Sequence, residues 1–231
     1  MTTTTPKTLP SNMLMPKVKL LGEVEYEPIW NAMKHFTTHR KPTTPDEIWL
    51  LQHPPTYTQG QAGLPEHLLN ARNIPVIKID RGGQITYHGP GQIVAYLLLD
   101  LRRRKINVRE LVRLMEQSIV NILASYNIAA SGRIDAPGVY VGDAKIAALG
   151  LKIKNGCCYH GLAFNLDMDL TPYNYINPCG FKGLRVTQLK DFGINVTTRE
   201  IEQRLADNLI TLLLQHSAGA VADREQRNNR G

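Results

Sequence analysis

Residues Ile93-Val94-Ala95-Tyr96-Leu97-Leu98-Leu99, continued past Asp100 into Leu101, form an almost unbroken apolar run in the middle of the chain. No polar residue alternates with them, so a strand made of this run has no face to give to water and must be covered on both sides. The run is far shorter than the roughly 18 apolar residues of a membrane span, and no other stretch approaches that length. The chain therefore has to fold in layers. Two amphipathic segments can supply cover. Asn107 is an expected N-cap with Glu110 three residues on, followed by an apolar stripe of Leu111, Leu114, Met115, Ile119, Ile122 and Leu123. A second helix is expected from about Thr197, with Glu200 at capping-box spacing and Ile201, Leu205, Leu209, Leu212 and Leu213 as its stripe. Both stripes are read as core.

Shorter signals fill in the rest. Lys17 to Leu21, Glu47 to Leu51 and Pro75 to Ile79 read as strands, and Tyr26 to His35 as a helix with Ile29, Met33 and Phe36 on one face. Gly138 to Val141, Lys145 to Ile153 and Tyr159 to Leu166 read as consecutive strands, the last two joined through the hairpin signal Asn155-Gly156. Strands in direct succession argue for an α/β architecture of the α+β type, with a mixed, largely antiparallel sheet flanked by helices, and against a doubly wound parallel sheet. With no repeat and no long linker, residues 17–216 are expected as a single domain, 1–16 as a Thr- and Pro-rich flexible leader, and 217–231 as a flexible polar tail.

The formal charge of +7 admits nucleic acid, an anionic surface or an acidic protein as partner. Aromatic residues make up only 6% and do not interleave with the basic ones, so no stacking platform is present and no nucleic-acid partner is expected. The tight basic cluster Arg102 to Lys105 is either a docking surface or a solvated charged turn. Three cysteines, two of them adjacent, make a poor disulfide framework and fit a reducing, cytoplasmic setting. No signal peptide, transit peptide or membrane segment is apparent, and no metal or cofactor is expected.

Two stretches carry chemistry. Arg81-Gly82-Gly83-Gln84-Ile85-Thr86-Tyr87-His88-Gly89-Pro90-Gly91-Gln92 places four glycines among polar side chains, immediately before the apolar run. It lacks the Gly-Lys-Ser/Thr ending of a P-loop and the G-x-G-x-x-G spacing. It is either a ligand-approaching loop or a connector. Asn177-Pro178-Cys179-Gly180 holds a thiol between a rigid and a permissive residue. As a nucleophile that thiol needs a neighbouring cation or base, because a free thiol is only a few per cent ionised at pH 7. Lys145, Lys152, Lys154, His160 and Lys182 are the candidates. Lys145 opens the apolar run Ile146 to Gly150, where burial is expected to lower its pKa and make it a proton acceptor. Cys157 and Cys158 sit beside the hairpin turn at the start of a strand, one expected toward the core and the other toward solvent.

Three blocks in order give a resemblance to a known family: Arg81 to Gln92, then Gly142-Asp143-Ala144-Lys145-Ile146 through Gly150, then His160-Gly161-Leu162-Ala163-Phe164-Asn165 running on to Asn177-Pro178-Cys179-Gly180. The chain resembles the octanoyl-acyl carrier protein:protein N-octanoyltransferases of lipoate biosynthesis over roughly residues 17–215. The resemblance implies the biotin and lipoate protein ligase catalytic-domain fold. It implies Cys179 as the residue carrying the acyl thioester, and Lys145, 34 positions earlier, as the lysine that lowers its pKa. Arg81, Gly82, Gly83, Gln84, Ile85, Thr86, Tyr87 and His88, with Ala148, Leu149, Gly150, Gly161, Leu162 and Ala163, match the segments that line the acyl site.

The resemblance further implies octanoyl-acyl carrier protein as donor. Lipoyl domains of 2-oxoacid dehydrogenase E2 subunits and the glycine-cleavage H protein are the implied acceptors. Cys179 would take the octanoyl group and pass it to the acceptor lysine without ATP, with ping-pong kinetics. Backbone N–H groups of the glycine-rich segment or of His160-Gly161-Leu162 are the expected oxyanion donors, and His88 either joins them or holds the loop. An ATP-dependent lipoate ligase, which would not need Cys179, and a carrier-to-carrier octanoyl transferase are the rival activities. A non-catalytic basic RNA-binding protein is the rival from another class.

Overall fold

The computed structural model describes residues 15–133 and 135–228, with side chains described to residue 218; residues 1–14 of the expected leader and the end of the expected tail, 229–231, lie outside them. In chain order the elements are β1 (Lys17–Glu23), α1 (Tyr26–His39), β2 (Glu47–Gln52), β3 (Thr56–Gln59), β4 (Val76–Lys78), β5 (Ile85–His88) and β6 (Gln92–Asp100). There follow α2 (Leu101–Arg104), α3 (Val108–Ala124), β7 (Ser131–Gly132), β8 (Gly138–Val141), β9 (Ala144–Lys154), β10 (Cys157–Asn165) and α4 (Thr198–Asn228). Short 3-10 turns lie between, at Pro65–His67, Thr171–Tyr175, Pro178–Gly180 and Leu189–Phe192.

Seven strands form one sheet in the order β1-β2-β6-β10-β9-β8-β7. Only β1 and β2 run parallel; every other neighbouring pair is antiparallel. A smaller sheet, β4-β3-β5, stands beside it. The apolar run is β6, and it lies between β2 and β10. Its residues divide by parity. Ile93, Ala95, Leu97 and Leu99 join a core with Leu111, Met115 and Ile119 of α3 and Ile201, Leu205 and Leu209 of α4. Val94, Tyr96 and Leu98 join Met33 of α1, with Ile29, Trp30 and Phe36 packed around them. Both faces are covered, as an unalternating strand requires. Each fully buried leucine here contributes about 1.5–3 kcal/mol.

The local signals explain the ends of the elements. The side chain of Asn107 accepts from the Glu110 N–H at 2.9 Å and Glu110 accepts from the Asn107 N–H at 2.8 Å, closing a capping box on α3. The Glu200 N–H donates to Thr197 at the start of α4. Residues 217–228, expected as a tail, continue that helix. Asn155 and Gly156 both take positive φ (51° and 75°) and turn β9 into β10.

Three expectations are corrected. The glycine-rich segment is not wholly a loop: Ile85–His88 is a strand paired antiparallel with β3. Cys157 and Cys158 are both buried, because β10 is covered on its two faces. The Arg102 to Lys105 cluster is neither a solvated turn nor an open docking surface at its centre. The side chains of Arg103 and Arg104 are buried against the fully buried Asp46, which also pairs with Arg40, at 2.5–2.6 Å.

Candidate active site

The Cys179 thiol stands on a 3-10 turn, in a left-handed conformation (φ 56°, ψ 16°) that costs an L residue roughly 1–2 kcal/mol. The turn is anchored at Asn177, whose N–H donates to the His67 carbonyl at 2.8 Å and whose carbonyl accepts from the Gly180 N–H at 2.9 Å. Farther on, the chain is tied to β9. The Lys145 N–H donates to the Arg185 carbonyl at 2.8 Å, and the Thr187 N–H donates to the Lys145 carbonyl at 2.9 Å. The thiol segment is thereby stitched to the strand that carries Lys145.

Lys145 is 3% exposed, and its Nζ donates to Cys179 Sγ at 3.0 Å and to the Pro137 carbonyl at 3.2 Å. The ammonium also lies 5.1 Å from the centre of the Tyr140 ring. Gly138 makes room for this side chain. Its φ of 151° lies outside the range most residues adopt, and a Cβ there would come within 2.9 Å of Lys145 Cε. Burial pulls the Lys145 pKa down, but the Cys179 sulfur, by charge and by hydrogen bond, and Tyr140 push it up further, so the net direction is up. This corrects the expectation of a lowered pKa. In the resting site Lys145 is an ammonium in hydrogen-bond contact with the Cys179 sulfur. Two other candidates bond elsewhere: Lys152 to Gln61, and Lys154 to Thr38.

A cavity of about 460 Å³ opens beside this pair. All the residues expected at the acyl site line it except Tyr87. Tyr87 turns into a separate cluster with Tyr57 and Tyr173. Gly150 pairs directly with Gly161 across β9 and β10, so neither puts a side chain into the space. Gly161 also permits close strand approach, since a Cβ there would lie 2.0 Å from the Ala95 carbonyl oxygen.

His160-Gly161-Leu162 is strand, not turn. Its residues pair with β9 and, from Gly161 on, with β6, so it is not a source of loose oxyanion donors.

A polar network runs along the cavity wall. His88 Nδ1–H donates to Gln92 Oε1 at 2.7 Å, leaving Nε2 to accept from the Thr58 hydroxyl at 3.1 Å. With both nitrogens engaged, His88 holds the glycine-rich segment. Burial first, then the nearby His53, push its pKa down to about 3. Gln92 donates to Asn165, and Asn165 to the Thr187 carbonyl, which links this segment to the thiol's own chain. Arg81 is buried and donates to Thr58 and to the Gly82 carbonyl; its charge and that of the Cys179 sulfur act on each other across the cavity. His160 takes φ 62° in the middle of β10, a strained value for a non-glycine strand residue.

Sequence reasoning missed several lining residues: Tyr26, Val94 and Tyr96 from α1 and β6, and Val108, Val112, Pro137 and Phe181. Their signals read as core or as turn, and only the packing of distant segments brings them to one wall.

Residues 25–210 match the family model described as the lipoyl protein ligase A/B catalytic domain. An octanoyltransferase of Azoarcus sp. (strain BH72) is 61% identical over 197 residues, covering 85% of this chain and 87% of that protein. One from Dechloromonas aromatica is 60% identical over 200 residues, covering 87% and 98%. Among solved structures, a bi-partite lipoate protein ligase from Thermoplasma acidophilum superposes with a TM-score of 0.68 at 16% identity, covering 86% of this chain and 83% of that one. A biotin protein ligase from Aquifex aeolicus gives 0.57 at 12%, covering 87% and 72%. These distant structures share the fold.

Proposed function

The chain belongs to the family of lipoyl protein ligase A/B catalytic domains, and from that footing we propose that Cys179 carries the acyl group as a thioester and Lys145 manages its protons. It is an octanoyltransferase acting in lipoate synthesis. The observation that carries the finer reading is the 3.0 Å contact of Lys145 Nζ with Cys179 Sγ at the edge of the cavity.

The donor is octanoyl-acyl carrier protein. The thiolate attacks the donor's thioester carbonyl. The tetrahedral intermediate collapses with cleavage of the bond to the carrier's sulfur, and the Lys145 ammonium supplies the proton that sulfur takes. Thioester exchange is nearly isoenergetic, so no ATP is required. The amine of an acceptor lysine then attacks the acyl-enzyme, now-neutral Lys145 takes up the proton released, and Cys179 leaves as thiolate. Amide formation from a thioester is downhill and drives the cycle. Lipoyl domains of 2-oxoacid dehydrogenase E2 subunits and the glycine-cleavage H protein are the acceptors. Burial of the chain in the cavity adds about 0.8 kcal/mol per methylene.

The three cysteines are unpaired, which fits a reducing cytoplasm. Among the described residues no helix is long and apolar enough to cross a membrane. Initial-rate kinetics with octanoyl-acyl carrier protein and a lipoyl domain, in the absence of ATP, test the reading. Parallel double-reciprocal lines are expected. Intersecting lines, or a requirement for ATP, would reject it.

A further inference from the structure

The cavity has two ends, and the strand register measures the distance between them. Gly138 pairs with Ala148, and Ala148 with Ala163. A Cβ on Gly138 would lie 3.1 Å from Lys145 Nζ, so the ammonium and the sulfur bonded to it sit at the level of Ala148 and Ala163. His160 pairs with Leu151, three residues farther along both strands. At about 3.3 Å per residue that separation is about 10 Å. Carbon–carbon bonds of about 1.5 Å advance an extended chain by about 1.25 Å each, so the eight bonds from sulfur to the terminal methyl of an octanoyl group also span about 10 Å.

The far end is polar. His160, Tyr26 and Tyr96 line it. The His160 ring is clamped by a hydrogen bond from Nε2–H to Asp80 at 3.0 Å, and Asp80 also accepts from Trp30 and Tyr159. His160 is 1% exposed, and its Nδ1 has no partner among the described residues. The tyrosines are already engaged. His53 Nδ1–H donates to the Val24 carbonyl, so its Nε2 accepts from the Tyr96 hydroxyl at 2.8 Å, and the Tyr96 oxygen in turn bonds Tyr26. His160 Nδ1 is itself buried, so what this end presents is a set of rings fixed by their own hydrogen bonds.

We propose that His160, held by Asp80 and flanked by Tyr26 and Tyr96, is the end wall that sets the enzyme's acyl-chain length at eight carbons. A longer chain must displace rings held by buried hydrogen bonds, His160 to Asp80 and Tyr96 to His53, and breaking such bonds without replacement is unfavourable. A chain two carbons shorter forgoes the burial of two methylenes, roughly a tenfold loss. The inference rests on the thioester reading above and adds the residue that measures the chain.

Competing octanoyl, hexanoyl and decanoyl carrier proteins for one acceptor domain gives the ratios of kcat/KM, while intact mass of the enzyme reports which acyl group it holds. For the natural sequence we expect octanoyl over decanoyl by tenfold or more. His160→Asn keeps a residue that tolerates positive φ but withdraws the wall, and the octanoyl-to-decanoyl ratio should fall at least tenfold. Tyr26→Phe, which keeps the ring and deletes one hydroxyl, should lower the ratio about threefold and serves if the asparagine variant does not fold. An octanoyl adduct on the natural enzyme together with an unmoved ratio in the folded variants overturns the wall alone. No octanoyl adduct on the natural enzyme overturns the thioester reading, and the wall with it.

Discussion

A buried lysine beside a partly exposed cysteine can act as a base or as a counter-ion, and here the charge balance decides. Burial alone would lower the Lys145 pKa, but its contacts with the Cys179 sulfur and Tyr140 outweigh burial. Lys145→Met should therefore move the pH profile of Cys179 alkylation upward and lower kcat/KM by roughly 10²–10⁴-fold, the span usual for a lost acid–base group. An unmoved alkylation profile would leave Lys145 a structural residue. The other two thiols make the internal control. Burial pushes Cys158 up to about 12 and raises Cys157 as well. Mild iodoacetamide at pH 7 should label Cys179 first by peptide mass spectrometry. Cys179→Ser should abolish transfer, while Cys157→Ser and Cys158→Ser retain most of it. At this scale the sequence was informative where geometry is written in residue type, as in the turn Pro178-Cys179-Gly180. It misled where the sign of a shift depends on neighbours 34 positions away.

At the level of elements, periodicity and capping found α3, α4, β6 and the β9–β10 hairpin, because those signals are local. Of the small sheet only β4 was legible, in Pro75 to Ile79. Strand β5 lies among glycines, and β3 is the four-residue Thr-Tyr-Thr-Gln, which carries no alternation to read. Both become strands by pairing with each other. The location of the ammonium likewise depends on an element contact, the meeting of β8 and β9 at Gly138. Gly138→Ala forces an unfavourable φ and pushes a methyl against Lys145 Cε. It should cost about 1–3 kcal/mol in urea unfolding, the range for strained backbone sites, and activity should fall more than that loss explains. Activity at the natural level would show that Lys145 does not need this space.

For the whole molecule, the unalternating strand forced a layered fold and the structure supplies helices on both sides, but the sequence could not reveal which charges would be buried between them. Asp46 pairs with three arginines that are distant or clustered in sequence. Asp46→Asn should destabilise the fold by about 3–5 kcal/mol in urea unfolding, because the guanidiniums stay buried without their anion. The neutral histidines make stability pH-dependent. Burial, the largest cause in each, holds His53 at about 4 and His88 at about 3 in the fold, against 6.5 unfolded. Below pH 6.5 the unfolded chain binds protons that the folded chain refuses. Unfolding free energy should then drop as pH falls toward 4, by up to about 1.4 kcal/mol per pH unit for each imidazole. A flat profile between pH 6.5 and 4 would mean the two rings are not held neutral. The most direct test of the account is the intact mass of the enzyme after incubation with octanoyl-acyl carrier protein alone. One octanoyl group, released by hydroxylamine and absent from Cys179→Ser, is the predicted result; an adduct on another residue, or full transfer by Cys179→Ser, would contradict it.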